Sequence, residues 1–176
     1  MRIAELPIAG AYVVRAEPVH DERGYFARIW SREEFAGHHL VTALEQCSVA
    51  HNDERGTVRG MHYQVAPYGE TKVVTCIAGS VYDVLVDVRP ESPTYLRWHA
   101  EHLDATSYLA LYVPEGVAHG YQTLTDGATL FYMISAPFHA PSARGVRWDD
   151  PRVGVRWPLP PIRISARDRA FPLLEV

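Results

Sequence analysis

The chain has 176 residues, 47% of them hydrophobic and 22% charged, with a formal net charge of −4, which excludes a disordered segment and favours one domain over 1–176 with a single buried core. The acidic balance without any lysine and arginine run argues against a nucleic-acid partner, and no apolar run reaches the roughly 20 residues of a membrane span. Neither a membrane partner nor a secretory leader is expected, since the opening MRIAELPIAG is interrupted by Glu5 and Pro7.

In chain order, the runs AYVV and GYFARIW open a series rich in aromatic and β-branched residues. A short helix is expected over Ser31 to Ala36, with Ser31 as cap, Glu34 completing a capping box and Gly37 closing the end. Cys47 and Cys76 show no metal-ligand spacing and no disulfide framework. They read as small buried residues of a protein kept in a reducing cytoplasm. The runs GTVRGMHY, KVVTCI, SVYDVLVDV, TYLRWHA, YLALYV, AHGYQTL and ATLFYMI follow, separated by turns such as Pro114-Glu115-Gly116 and Thr125-Asp126-Gly127. This rhythm predicts a mainly β protein, an antiparallel sandwich or barrel. In Tyr82 to Arg89, Tyr82, Val84, Val86 and Val88 alternate with Asp83, Leu85, Asp87 and Arg89, so one face packs and the other is polar. From Trp157 through Pro158, Pro160 and Pro161 the chain reads as an extended tail across the surface.

Polar groups inside strand-like segments need a chemical reason. Of nine histidines, His20, His38, His39, His99 and His102 fall in polar surroundings and read as solvated. His62 and His119 fall in β-rich ones. The spacing of Pro114, Gly116 and His119 resembles the second motif of the cupins, small β-barrels that often hold a metal. The first cupin motif would supply two histidines and a glutamate, whereas here stand His62-Tyr63-Gln64 and a more distant Glu70. Glutamine is a poor ligand beside histidine and carboxylate. A metal-dependent cupin enzyme is therefore an alternative to a site with no metal and no cofactor, in which His62 acts as a base. Arg59, Lys72, Tyr132 and Asp168 would then serve as companions: lysine to stabilise an enolate oxygen, tyrosine to return a proton, aspartate to orient the imidazole. In a regular strand Arg59 and His62 point to opposite faces, so this reading requires a bulge or kink at Gly60.

The motifs DERGYFARIW, GTVRGMHYQ, KVVTCIAGSVYDVLVDVRPESPTY, VPEGVAHGYQTL, LFYMIS, RWDDPRVGVRWP and ISARD occur in that order from residue 21 to residue 168. Together they resemble the dTDP-4-dehydrorhamnose 3,5-epimerase family over nearly the whole chain. The resemblance implies a jelly-roll, cupin-type antiparallel β-barrel with a few short helices, metal-free and homodimeric, acting on a nucleotide-linked 4-keto-6-deoxy sugar. It implies His62 as base, Asp168 as its partner, Lys72 beside the enolate and Tyr132 as acid. Arg23, Arg59 and His119 would serve the diphosphate and sugar, and Phe26 and Gln46 the nucleoside. The Arg23 and Phe26 motif would act across a dimer interface, in a nucleotide site shared between subunits. Three positions depart from the family pattern: Arg28 where glutamate is usual, Gln46-Cys47-Ser48 where Gln-x-Asn is usual, and Phe138 where tyrosine is common. They leave open the base, the nucleotide and whether C3, C5 or both are inverted. A non-catalytic sugar-nucleotide binding protein is the second alternative.

Overall fold

In the computed structural model, which describes residues 1–174, the β-rich runs form two antiparallel sheets; the last two residues of the expected domain lie outside the described residues. The strands are β1 (Arg2–Glu5), β2 (Tyr12–Arg15), β3 (Val19–Asp21), β4 (Gly24–Phe26), β5 (Gln46–Asn52), β6 (Val58–Gln64), β7 (Lys72–Ala78), β8 (Ser80–Asp87), β9 (Trp98–Asp104), β10 (Leu109–Val113), β11 (Val117–Thr123), β12 (Ala128–Ile134) and β13 (Ala143–Gly145). One sheet has the order β1-β2-β10-β7-β12-β5 and the other β13-β6-β11-β8-β9, while β3 and β4 form a separate ribbon. Val74, Leu111 and Leu130 of the first sheet pack with Leu85, Leu103 and Tyr121 of the second in one buried cluster. Burying such side chains contributes about 1.5–3 kcal/mol each. The result is a jelly-roll-like sandwich: among the described residues the two sheets face each other without joining edge to edge into a closed barrel.

β8 shows why the sandwich can hold polar groups. Its alternation holds, with Val84 and Val86 packed on one side beside Tyr82 and Val88, and Leu85 in the inter-sheet cluster on the other. Asp83 and Asp87, on the inter-sheet side, are fully buried rather than solvated.

The bulge required at Gly60 is present. His62 lies opposite His119 and Arg59 opposite Tyr121, with the β6–β11 register shifting between them. Gly60 has φ of +123°, and a Cβ there would stand 2.6 Å from the Gly120 Cα. Only glycine tolerates both conditions.

Three expectations need correction. The helix α1 spans Arg32–Gly37, but Ser31 makes no side-chain cap. Glu34 instead accepts a hydrogen bond from the Met1 amino group at 2.9 Å, so the capping box never closes. The chain leaves α1 through His38 and then His39, whose φ is +59°, rather than through Gly37. Cys47 is exposed while Cys76 is buried. Cys47 lies on β5, the outer strand of its sheet, whose polar make-up (QCSVAHN) also hid it as a strand. An edge strand needs little apolar patterning because one side meets solvent.

Beyond β13 the chain turns at 148–153 and then runs extended. The buried Gln122 amide brackets Leu159, donating to its carbonyl at 2.8 Å and accepting from its N–H at 3.0 Å. Val58 N–H then donates to the Arg163 carbonyl at 2.8 Å. This tail leads into α2 (Ala166–Arg169), which Ser165 caps by accepting from the Asp168 N–H at 3.0 Å.

Candidate active site

Between the sheets lies a cavity of about 390 Å3, large enough for a small polar ligand. Both sheets supply its wall. β6 and β11 bring Arg59, His62, His119 and Tyr121, while β5, β7 and β12 bring Gln46, Ser48, Lys72 and Tyr132. Phe138 stands at the rim and is largely exposed. Seven of the ten residues singled out in the sequence therefore line one space, and an eighth, Asp168, stands behind His62. Arg23 and Phe26 do not reach it: they occupy the exposed β3–β4 ribbon, where Arg23 pairs with Asp21.

His62 Nε2 lies 2.7 Å from Asp168 Oδ1, and Asp168 Oδ2 accepts the Gly60 N–H at 3.1 Å. Burial drives the Asp168 pKa upward, yet the hydrogen bond and electrostatic attraction from His62, with Gly60 and Ser165, outweigh it and hold the carboxyl below its usual range. An ionised carboxylate at Nε2 favours the tautomer that carries its proton there, leaving Nδ1 as the basic nitrogen. The Gly60 bulge does two things at once: it turns Arg59 into the cavity beside His62 and presents an N–H to the carboxylate.

Across the gap, Tyr132 is held as a neutral phenol. Burial pushes its pKa well above the ordinary value, reinforced by the neighbouring Tyr121 and Asp83. Tyr121 donates to Asn52 Oδ1 at 3.2 Å, the oxygen that also accepts from Arg59 Nε at 2.8 Å. Lys72 is buried and pairs with Glu70 at 3.0 Å, and its Nζ donates to the His62 carbonyl at 3.1 Å. Glu70 in turn accepts from Gln64 Nε2 at 3.1 Å. His119 Nε2 sits 2.8 and 2.9 Å from the two oxygens of Asp83. Burial raises the Asp83 pKa against the opposing charges of His119 and Lys72.

The donors that the cupin spacing brought forward are thus committed to separate partners, His119 to Asp83, His62 to Asp168 and Glu70 to Lys72. Among the described residues no three His, Cys, Asp or Glu side chains converge as a metal site. Sequence reasoning missed Asp83 and weighed Glu70 only as a metal ligand. Asp83 was visible as a charged residue in a strand, but its partner depends on the β8–β11 pairing, which places it opposite Tyr121 and next to His119.

A jelly-roll-like fold whose paired sheets share one polar cavity defines a class of β-sandwich enzymes. Comparison with known proteins narrows it. The family model for dTDP-4-dehydrorhamnose 3,5-epimerase matches residues 5–175. A protein of that name from Sinorhizobium fredii is 36% identical over 175 residues, covering 99% of this chain and 90% of its relative. Among solved structures, a 4-keto-6-deoxy sugar epimerase from the novobiocin cluster of Streptomyces spheroides superimposes with a TM-score of 0.94 at 36% identity, over 98% of this chain and 87% of the other. A 3'-monoepimerase from Streptomyces bikiniensis in complex with dTDP-quinovose gives 0.89 at 34% identity, over 96% and 85%. The chain belongs to the dTDP-4-dehydrorhamnose 3,5-epimerase family and is a carbohydrate epimerase, an isomerase. Among the described residues no helix is long and apolar enough to cross a membrane.

Proposed function

We propose that the cavity binds a dTDP-linked 4-keto-6-deoxy sugar and inverts carbon next to its ketone without a cofactor. The observation that carries this reading is the placement of His62 and Tyr132 on opposite sheets facing one cavity. A sugar ring held between the sheets offers one face to each. The C4 ketone acidifies the hydrogens on C3 and C5. His62 Nδ1 takes one of them, and the imidazolium that forms is supported by Asp168. Lys72 stabilises the enolate oxygen, and Tyr132, which keeps its proton at neutral pH, returns a proton from the other face. Proton transfer by positioned groups of this kind contributes typically about 10²–10⁴-fold each.

Arg59, fixed by Asn52 Oδ1 and by the His51 carbonyl at 3.1 Å, supplies positive charge for the diphosphate, with His119 deeper in the cavity beside the sugar and Gln46 toward the nucleoside. Arg23 and Phe26 serve a second copy of the chain in a homodimer. Their position supports this: Val19, Tyr25 and Phe26 are 71%, 55% and 70% exposed on a ribbon that does not reach its own chain's cavity.

Phe138 places a ring without a hydroxyl at the rim, which favours inversion at one centre. The test is incubation with dTDP-4-keto-6-deoxyglucose in deuterated water, following the C3 and C5 protons by NMR. Exchange at one carbon is the expected result. Exchange at both assigns a double epimerase and removes the role given to Phe138. Exchange at neither overturns this sugar nucleotide as the substrate, exchange at neither with other nucleotide-linked 4-keto sugars as well favours a binding protein, and activity that disappears with chelator and returns with metal overturns the cofactor-free reading.

A further inference from the structure

The His62 ring is contacted by a second residue of the segment that brings Asp168. Phe171, three residues after Asp168, packs edge-on against it, with ring centroids 5.9 Å apart and an interplanar angle of 68°. The seat of Phe171 is cut into the sheet. A Cβ at Gly145 would lie 2.2 Å from two atoms of the phenyl ring, and Gly145 is the residue of β13 directly opposite His62 on β6. The ring also carries the Arg167 guanidinium, 5.9 Å from its centroid, and Arg167 lines the cavity. On the far side, the segment is pinned where Leu174 N–H donates to Asp150 Oδ2 at 2.7 Å, a carboxylate that is itself buried.

A hydrogen bond to one ring nitrogen fixes which atom donates, but it leaves the imidazole free to pivot about that bond. A packed ring edge removes the pivot. We propose that Phe171, seated over Gly145, is a positioning residue that holds the His62 imidazole in the plane where Nε2 meets Asp168 and Nδ1 meets the cavity. Phe171 is not among the residues that line the cavity, whereas His62 and Arg167, the two side chains its ring contacts, both are. The inference rests on the proposed role of His62 as base, since only then does imidazole orientation govern rate.

The experiment compares Phe171→Ala, Phe171→Leu and Gly145→Ala with the parent. The readouts are kcat and KM on dTDP-4-keto-6-deoxyglucose, thermal midpoint, and the NMR resonance of the imidazole N–H bonded to Asp168 in the free protein. Misplacement of a catalytic group by about 1 Å costs on the order of 100-fold. Phe171→Ala is expected to lower kcat about 10- to 100-fold on that scale, with KM little changed and the N–H resonance broadened. Phe171→Leu, which keeps an apolar wall, should recover most of both. Gly145→Ala, which evicts the ring without deleting it, should reproduce the alanine pattern. An unchanged kcat and N–H resonance in Phe171→Ala overturns the proposal. So does a parallel loss of activity and thermal midpoint in the alanine and leucine variants, which is the mark of general packing. A parent protein inactive on the sugar, whose N–H resonance still depends on Phe171, upholds the positioning geometry and overturns the proposed substrate rather than the packing of Phe171 on His62.

Discussion

His62 and Asp168 are 106 residues apart in sequence and 2.7 Å apart in space. One comes from the middle of a sheet and the other from the short helix that ends the tail. If this pair is the base and its support, His62→Asn should lower kcat by about 10³-fold or more while the affinity for the dTDP-sugar stays within about twofold. Asp168→Asn, which removes the charge but keeps the shape, should cost about 10²–10⁴-fold in kcat. Calorimetric binding beside steady-state turnover separates the two effects, and a matching fall in affinity would point to a binding role.

Gly60→Ala tests the bulge. The added methyl would meet the Gly120 Cα at 2.6 Å at a φ of +123°, so a stability loss of at least about 1–3 kcal/mol is expected from the backbone conformation alone. Activity should fall further than stability accounts for, because Arg59, His62 and the N–H that Asp168 accepts all depend on the same turn. Urea titration together with kcat at a temperature where the variant remains folded would show this.

Lys72 and Glu70 form a buried pair, with side chains 7% and 9% exposed. Lys72→Met should destabilise by roughly 3–5 kcal/mol, because it strands a carboxylate in the interior. The double variant Lys72→Met with Glu70→Gln removes that stranded charge and should regain most of the stability. If Lys72 is the cation that stabilises the enolate, turnover should not return with it. Recovery of both would reduce Lys72 to a structural element.

The pH dependence of stability should carry the signature of Asp87. Burial raises its pKa, but Arg89, Ser92 and Thr94 overcome this and lower it from 3.8 to about 2. A carboxylate depressed in the folded state stabilises the protein above its unfolded pKa, and that contribution is lost as pH falls through the folded value. The shift corresponds to about 2 kcal/mol. Asp87→Asn should therefore be less stable than the parent by about this amount at pH 6, with the gap closing between about pH 4 and pH 2. Chemical unfolding midpoints across that range decide it, and a gap independent of pH would count against the ionic account.

Strand content and most of the residues that gather around the cavity were legible because alternation in Tyr82 to Arg89 and histidine within RGMHYQ are local signals. The bulge was legible too, as a geometric demand made by Arg59 and His62 on the glycine between them. What sequence could not show was pairing. Glu34 has the spacing of a capping box, but a distant amino group claims it. Asp83 and Glu70 carry no local mark of their partners, which are set by strand register and by the Gln64 amide that reaches Glu70. β5 was hidden because its outward positions answer to solvent and its inward ones to a ligand cavity, so neither imposes the apolar pattern by which strands are recognised.

The long tail has a consequence for how the protein is made. Among the described residues the thirteen strands are complete by Gly145, while the carboxylate that meets His62 arrives only at residue 168. Translation runs from the amino end, so the cavity wall emerges from the ribosome before its chemistry does. A premature stop codon just after Ile164 would yield a polypeptide that keeps the described strands but lacks Asp168 and the cavity-lining Arg167. On the proposed function such a product would be inactive, because the carboxylate that meets His62 is missing.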